Sequence, residues 1–378
     1  MQMKKLFFGA AAMLALASCS SENTLDLNNS GNEIAFSVAT NNTSRAADVY
    51  CNNNKPGEFN VWASHDSKQY IAGDLIKFEG GKWVNKSGNR YWPSTGDVTF
   101  VAYENENGDF AFNPTGASNL TNFTVPTDVA NQLDFIYARK TQAKSAGTQV
   151  NLNFRHALSQ IVYKAKNTNK NLFVEIGVVS IVNVNSKADF AFPTADTTTP
   201  YVDHGSTGDA TIENQGTWSN WSTLTTFPVS FTNKEVAGNS APVDLTAAND
   251  PTKEFSSLAL LLIPQTTTAW DPSSVTKPTD ETTNTYFVLS CKIRNVRDTT
   301  IGVQADDVYL YGSASDYALI YIPVALNWAQ GKKYVYTFTF GDGTAGYDPD
   351  GDHVLVPITF DVTVDDFKLG GEHDVNMD

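Results

Sequence analysis

The chain is short of the residues that most often carry chemistry or hold nucleic acid. Among 378 residues there are three cysteines and five histidines, and 26 Lys and Arg stand against 41 Asp and Glu. The basic side chains do not cluster, so the phosphate-neutralising patch of a nucleic-acid binder is missing. His65, His156, His204, His353 and His373 lack ligand spacing, and His156, beside Ala157 and Leu158, reads as packed or turn-bonded. No Gly-x-Ser-x-Gly, His-Glu-x-x-His, P-loop or dinucleotide fingerprint occurs, so the residues point to no enzyme class and no cofactor. Heptads and long 3.6-period segments are absent, which argues against a helical fold. The apolar run Leu6–Ala17 is too short to span a bilayer.

What is present begins with that run. It follows the cationic start Met1-Gln-Met-Lys-Lys5 and leads into Leu16-Ala17-Ser18-Cys19. This order is that of a secretory signal peptide. The cysteine after Leu-Ala-Ser resembles a bacterial lipobox, in which the thiol is acylated and the chain cut just before it. Residues 1–18 are therefore expected to be removed and Cys19 to anchor an envelope lipoprotein without a membrane span. Loss of Lys4 and Lys5 moves the formal net charge from -15 to -17. Of the other cysteines, Cys291 shares a strand face with Phe287, Leu289 and Ile293, which suits a buried small hydrophobe. Cys51 sits in the polar stretch Cys51–Lys55. An oxidising envelope permits a Cys51–Cys291 bridge, though the free thiol is the better fit.

Thr, Asn, Ser, Val and aromatic residues in short alternating runs, broken by Gly, Asn, Asp and Pro, predict an all-β protein. A polar tether, Ser20–Gly31, precedes a strand whose one apolar face is Ile34, Phe36 and Val38. The polar linker Asn41–Ala47 follows and carries Arg45. Strand candidates run in series from Phe59 to Ala165. The polar break Asn167–Asn171 is taken as a domain boundary, and a second series starts at Phe173. Residues 191–225 read as a polar surface insertion, and Leu258–Ile263, apolar on both faces, as a central strand. The segment Val354–Val364 reads as one 11-residue strand. Its even positions Val354, Val356, Ile358, Phe360, Val362 and Val364 are all apolar, which specifies one buried face and a fixed register.

Asp348, Asp350 and Asp352 alternate around Gly351 and suggest calcium, but no distal Glu stands at the offset a calcium loop needs, so a solvated turn is the better reading. Trp218 and Trp221, within the polar insertion, would stack on sugar rings if exposed, or pack within the loop. Asp196-Thr197-Thr198 and Asp298-Thr299-Thr300 resemble the acceptor pattern of Bacteroides O-glycosylation.

Several stretches together resemble the Bacteroidales fimbrillin family, the subunits of type V pili. They are the lipobox at Cys19, Ile34-x-Phe36-x-Val38 with Ser44-Arg45-Ala46, Tyr91-Trp-Pro93, Phe100–Tyr103, Gln132–Ala138, Phe154–Ile161, Leu262–Gln265, Trp328–Tyr334 and Ile358–Val364, in that order. The resemblance implies two transthyretin-like Greek-key β-sandwich domains in tandem, non-enzymatic, without cofactor or metal. It assigns 1–18 to the signal, 19–45 to the lipidated tether and removable first strand, 46–167 to one sandwich, and 168–378 to a second ending in a donor strand. It further implies cleavage between Arg45 and Ala46, loss of the Ile34–Val38 strand, and filling of the vacated groove by Val354–Val364 of the next subunit. The expected partners are other fimbrial subunits, the outer membrane through the lipid, and a surface receptor. A monomeric glycan-binding lipoprotein using Trp218 and Trp221 is the alternative.

Overall fold

A computed structural model of the chain describes residues 32–39, 57–104, 107–197, 214–239, 241–246, 258–296, 304, 307–356 and 358–366. Twenty strands lie among them: β1 (Ala35–Ala39), β2 (Glu58–His65), β3 (Lys68–Glu79), β4 (Lys82–Asn85), β5 (Asp97–Glu104), β6 (Asp109–Ala111), β7 (Asn119–Thr124), β8 (Ile136–Ala143), β9 (Gln149–Asn153), β10 (Arg155–His156), β11 (Ser159–Asn167), β12 (Leu172–Ala191), β13 (Thr217–Ala237), β14 (Val243–Asp244), β15 (Leu260–Leu262), β16 (Tyr286–Asn295), β17 (Val308–Tyr311), β18 (Ala318–Pro323), β19 (Lys332–Phe340) and β20 (Ile358–Asp366). The period-2 runs of β-branched and aromatic residues thus form an all-β sandwich architecture, as expected.

A six-stranded sheet, ordered β10-β8-β5-β2-β3-β4, is covered on one face by the isolated pair β1-β9. Alternation along its strands sends side chains into two cores. Val98, Phe100 and Ala102 of β5, with Ile136 and Ala138 of β8, join Ile34, Phe36, Val150 and Leu152. Val101 and Tyr103 of β5 and Tyr137 of β8 join Leu120, Phe123, Phe190 and Trp218 on the opposite face. That opposite face belongs to a seven-stranded sheet, β17-β16-β12-β7-β6, with β13 on β12 and β18 on β16. Farther along, the same sheet faces a five-stranded one, β14-β11-β19-β20 with β15 on β11. There Phe287 meets Tyr163, Tyr336 and Phe338 edge-on.

β12 is the element common to both ends. Its first half, Leu172–Val182, pairs with β16, and its last residues, Lys187–Ala191, pair with β7 from the first part of the chain. A strand of 20 residues does this by bending. Register shifts against β13 fall between Ile176 and Val178, Val182 and Val184, and Lys187 and Asp189. Asn183, skipped at the second shift, takes a left-handed φ of 61°. Near the β7 end, Gly216 lies so close to Phe190 that a Cβ there would come within 2.1 Å of the ring.

Two sequence expectations change. The region 191–225 is only partly loop, because β13 begins at Thr217; its Ser and Thr side chains face outward and imitate loop composition. Leu258–Ile263 is not a central strand: among the described residues β15 pairs only with β11. It is apolar on both sides because its edge is covered, the Leu261 amide donating to Gln132 Oε1 at 2.7 Å. β11 runs parallel to β19 over Gln160–Asn167. The break at Asn167–Asn171 is a tight turn into β12, with the Leu172 amide bonded to the Asn169 carbonyl.

Tyr137 joins the two halves. Its hydroxyl accepts from the Gly216 amide at 3.0 Å and donates to Gln330 Oε1 at 3.1 Å, while Gln330 Nε2 holds the Gly216 carbonyl at 2.7 Å. Burial pushes the Tyr137 phenol up to about 12. Tyr137→Phe should leave the Gly216 amide unpaired and lower stability by about 1–2 kcal/mol without changing strand content. Urea melts followed by fluorescence and far-ultraviolet circular dichroism check this.

Candidate functional site

The site is the seat of the first strand. β1 runs parallel to β9 in the register Ala35↔Gln149 to Ala39↔Asn153, and β9 has no other ladder partner among the described residues. On the other side the entry to β1 is clamped to the segment before β5. The Ile34 amide donates to the Arg90 carbonyl at 2.8 Å and the Trp92 amide to the Asn32 carbonyl at 2.8 Å. Trp92 Nε1 in turn holds the Thr148 carbonyl at 3.1 Å, tying the clamp to the approach to β9. Ile34 is 4% exposed and Phe36 5%. The Phe36 ring meets Phe100 edge-on at 5.8 Å, and Val38 is partly buried against the same core. The outward side is polar: Ser37 bonds Asn151, and Lys144 bonds Asn32.

One ion pair, between the partly exposed Arg90 and a buried carboxylate, stiffens this clamp. Asp74, its side chain 3% exposed, takes Arg90 Nε at 2.7 Å and Nη2 at 2.8 Å, and Asn85 Nδ2 at 2.7 Å. Burial pushes the Asp74 carboxyl up. The hydrogen bonds from Arg90 and Asn85, with the guanidinium charge, outweigh it and hold the group below its ordinary value.

The second predicted element, the C-terminal strand, is seated in its own chain. β20 pairs antiparallel with β19 from Phe340↔Ile358 to Lys332↔Asp366, at the end of the five-stranded sheet. It starts later than expected. Val354 and Val356 precede it: the Val354 amide turns to the Gly346 carbonyl, and Leu355 is 98% exposed. Pro357 has no N–H to give a ladder, which explains a start at Ile358. The even face is also not buried throughout. Val356 and Ile358 are buried and Phe360 is half-buried against Phe287, Tyr336 and Phe338, but Val362 and Val364 are 46% and 54% exposed.

Cys19, Arg45, Ala46 and Cys51 lie outside the described residues. Cys291 is a buried free thiol, which burial pushes up to about 12. Trp218 and Trp221 do not form a sugar platform. Trp218 is core, meeting Phe123 and Phe190 at a tilt and Phe135 edge-on with Nε1 on the Ala157 carbonyl, whereas Trp221, half-exposed, bonds the Pro264 carbonyl. Asp348 accepts from the amides of Asp350 and Asp352, Asp350 pairs with Lys277, and Gly351 takes φ 88°, which makes a hydrogen-bonded turn. No metal-holding group of three side chains occurs among the described residues. Thr197, 1% exposed, spends its hydroxyl on backbone carbonyls, and such a hydroxyl is closed to a glycosyl donor. His156 is buried against Asp134 at 2.7 Å.

The sequence reading missed the Asp74–Arg90 clamp, for which isolated charges sixteen residues apart gave no signal. It also passed over a visible one: the pattern Ile-x-Phe-x-Val occurs at both Ile34–Val38 and Ile358–Val362.

Comparison with known proteins adds the following. A family model described as fimbrillin-like matches residues 29–366. No curated protein matches. Among solved structures, a fimbrial protein from Bacteroides vulgatus is 14% identical, with a TM-score of 0.56, over 89% of this chain and 100% of that one. A candidate cell adhesion protein from Bacteroides uniformis is 12% identical, with a TM-score of 0.44, over 90% and 100%. One from Parabacteroides distasonis is 10% identical, with a TM-score of 0.45, over 91% and 99%.

The clamp has a pH signature. A carboxyl held below its unfolded value of about 3.9 contributes stability that is present above that pH and lost as the pH falls through the folded value. Arg90→Ala leaves Asp74 buried without its main partner and should cost about 2 kcal/mol at pH 7. The gap between wild type and variant should then narrow as the pH falls below about 4. Urea melts at pH 7 and at acid pH measure both values.

Proposed function

The chain belongs to the fimbrillin-like family, and we propose that it is a non-enzymatic subunit of a surface fimbria with a role in adhesion. It is exported as a lipoprotein anchored in the outer membrane through Cys19 and cut between Arg45 and Ala46. It polymerises when a strand of another subunit takes the place of β1. The observation that carries this reading is the seating of β1. Among the described residues this short strand is the sole ladder partner of β9, and with the preceding Ile34 it covers an apolar face through Phe36. Burying such side chains contributes roughly 1.5–3 kcal/mol each, and an incoming strand must match that. Replacement would be strand addition, with ladder bonds supplying affinity and the side-chain pockets supplying specificity. The donor is the C-terminal strand that includes Ile358, Phe360, Val362 and Val364. The burial of Trp218 removes the feature on which glycan binding by a monomer rested.

Protein taken from its native cell surface should begin at Ala46, and Arg45→Ala should leave a longer form beginning at Cys19. N-terminal sequencing decides this, and a uniform Cys19 start in the wild type would sink proteolytic maturation. Donation is tested best at Val362. It is 46% exposed where β20 lies on β19, so Val362→Asp should change monomer stability by less than about 1 kcal/mol. In an apolar groove the same carboxylate is strongly disfavoured, so polymers should vanish. Melting temperature and unheated-gel laddering on one preparation read both, and undiminished ladders would exclude this strand as donor.

A further inference from the structure

We propose that Arg294, held between Phe173 and Tyr309 at the open end of the seven-stranded sheet, binds the carboxylate of an acidic saccharide. This gives the adhesive role proposed above a class of ligand and rests on that reading for its setting, but it requires no strand exchange.

The even positions of β16 point away from the core that Phe287, Leu289, Cys291 and Ile293 enter. At the start of the strand this outer face is covered: Tyr286 and Val288 pack with Trp270, Tyr321 and Tyr347. At its end the face carries Lys292 and Arg294. In the ladder Arg294 lies opposite Tyr309 of β17 on one side and Phe173 of β12 on the other. Its guanidinium carbon is 5.0 Å from the centre of the Phe173 ring and 5.4 Å from that of Tyr309. Neighbouring strands are roughly 4.8 Å apart, so these distances put the cation between two flanking rings. Such contacts fix a guanidinium without using its N–H groups.

Those N–H groups are not spent elsewhere. Arg90 is neutralised by Asp74 and Arg139 by Asp196. Arg294 has no ion pair and no side-chain hydrogen bond among the described residues. Lys292, beside it, is already committed. Its Nζ donates to the Ala314 carbonyl at 2.9 Å and lies 4.0 Å from Glu175, which also takes the Tyr317 hydroxyl. One uncommitted cation thus stands on a chain whose formal net charge is -15. It suits a group with a single negative charge, and the planar fork of a guanidinium meets a carboxylate with two parallel hydrogen bonds.

The neighbouring edge favours a saccharide over a peptide. β17 is the last strand of this sheet among the described residues. It is four residues long, and its ladder to β16 skips Leu310. A short, bulged edge offers an incoming peptide few aligned backbone groups. What it does offer is side chains. Tyr309 is half-buried, and its hydroxyl takes no hydrogen bond among the described residues. An aromatic ring gives the C–H groups of a sugar an apolar surface, and the phenol gives its hydroxyls a polar partner.

Binding by the uncut chain, followed by isothermal calorimetry, tests the site. The probes are a linear tetramer of galacturonic acid and its full methyl ester, which keeps the sugar rings and loses the charge. The acid should bind, and the ester should bind at least about tenfold more weakly. Arg294→Gln should weaken the acid by a similar factor. Arg294→Lys should not restore it, because an ammonium lacks the planar fork. Tyr309→Leu changes no charge and should also weaken the acid, and melting temperatures show which variants keep the fold. Equal binding of acid and ester, or binding of neither, overturns the proposal on the wild-type chain alone. Undiminished binding by a folded Arg294→Gln overturns it as well. Equally tight binding of poly-glutamate overturns the saccharide and makes the partner an acidic peptide. None of these outcomes touches the cut at Arg45 or the laddering of the cut chain, so a failure here leaves the fimbrial reading standing, and a chain that does not ladder can still pass this test.

Discussion

The ladder of β12 is the constraint on which the rest of the structure depends. A single strand that pairs with β16 at one end and β7 at the other cannot serve two independently oriented sandwiches. Its bulges let one sheet turn from the five-stranded layer to the six-stranded layer without a break in the backbone. The long partner β13 follows it through all three register shifts. Tyr137, Gly216 and Gln330 then lock the six-stranded layer to this spine. The floor under β1 is thereby held from the far side. Phe100 and Ile136 line the groove, while their neighbours Val101 and Tyr137 are anchored in the other core. Removal of β1 takes away a cover and leaves the floor its own support.

The first and last strands are held in contrasting ways. β1 is short, but its entry is clamped by backbone bonds to the Arg90–Trp92 segment, and Phe36 and the preceding Ile34 are nearly out of water. β20 has a longer ladder, nine residue pairs on β19, yet half of its apolar face stays wet. Ladder length and side-chain burial are separate contributions, and here they are unequally divided. A strand whose backbone is well paired but whose side chains are poorly covered gains most from a site that offers pockets.

Much of the fold was legible because period-2 alternation is a strong signal where one face is wet. β5, β8, β11, β16 and β19 were all readable as strands from that alternation, and so was β1. The failures share a cause. β13 was hidden by a Ser- and Thr-rich outer face, although Trp218, Phe227 and Val229 on its inner face are buried. β15 looked central because a long-range bond from Gln132 covers its edge, and no local pattern announces such a bond. The late start of β20 followed from Pro357, whose missing N–H was written in the chain but yielded to the attractive alternation around it. The site was legible in its apolar residues and not in its clamp. Asp74 and Arg90 are two ordinary surface-type residues until the fold brings them together.

The clamp also bears on where the proposed cut after an arginine could fall. A protease needs an extended, unpaired backbone, and the described arginines do not offer one. Arg139, Arg155 and Arg294 stand in β8, β10 and β16. Arg139 pairs with Asp196, and Arg294 lies over Phe173 and Tyr309. Arg90 is outside a strand, but its carbonyl is taken by the Ile34 amide and its side chain by Asp74. Departure of β1 would free that carbonyl. It would not free the guanidinium, which a protease of this specificity must bind and which remains held by two short bonds to a buried carboxylate. The same ion pair that steadies the first strand would therefore keep the groove's rim from being cut once that strand has gone.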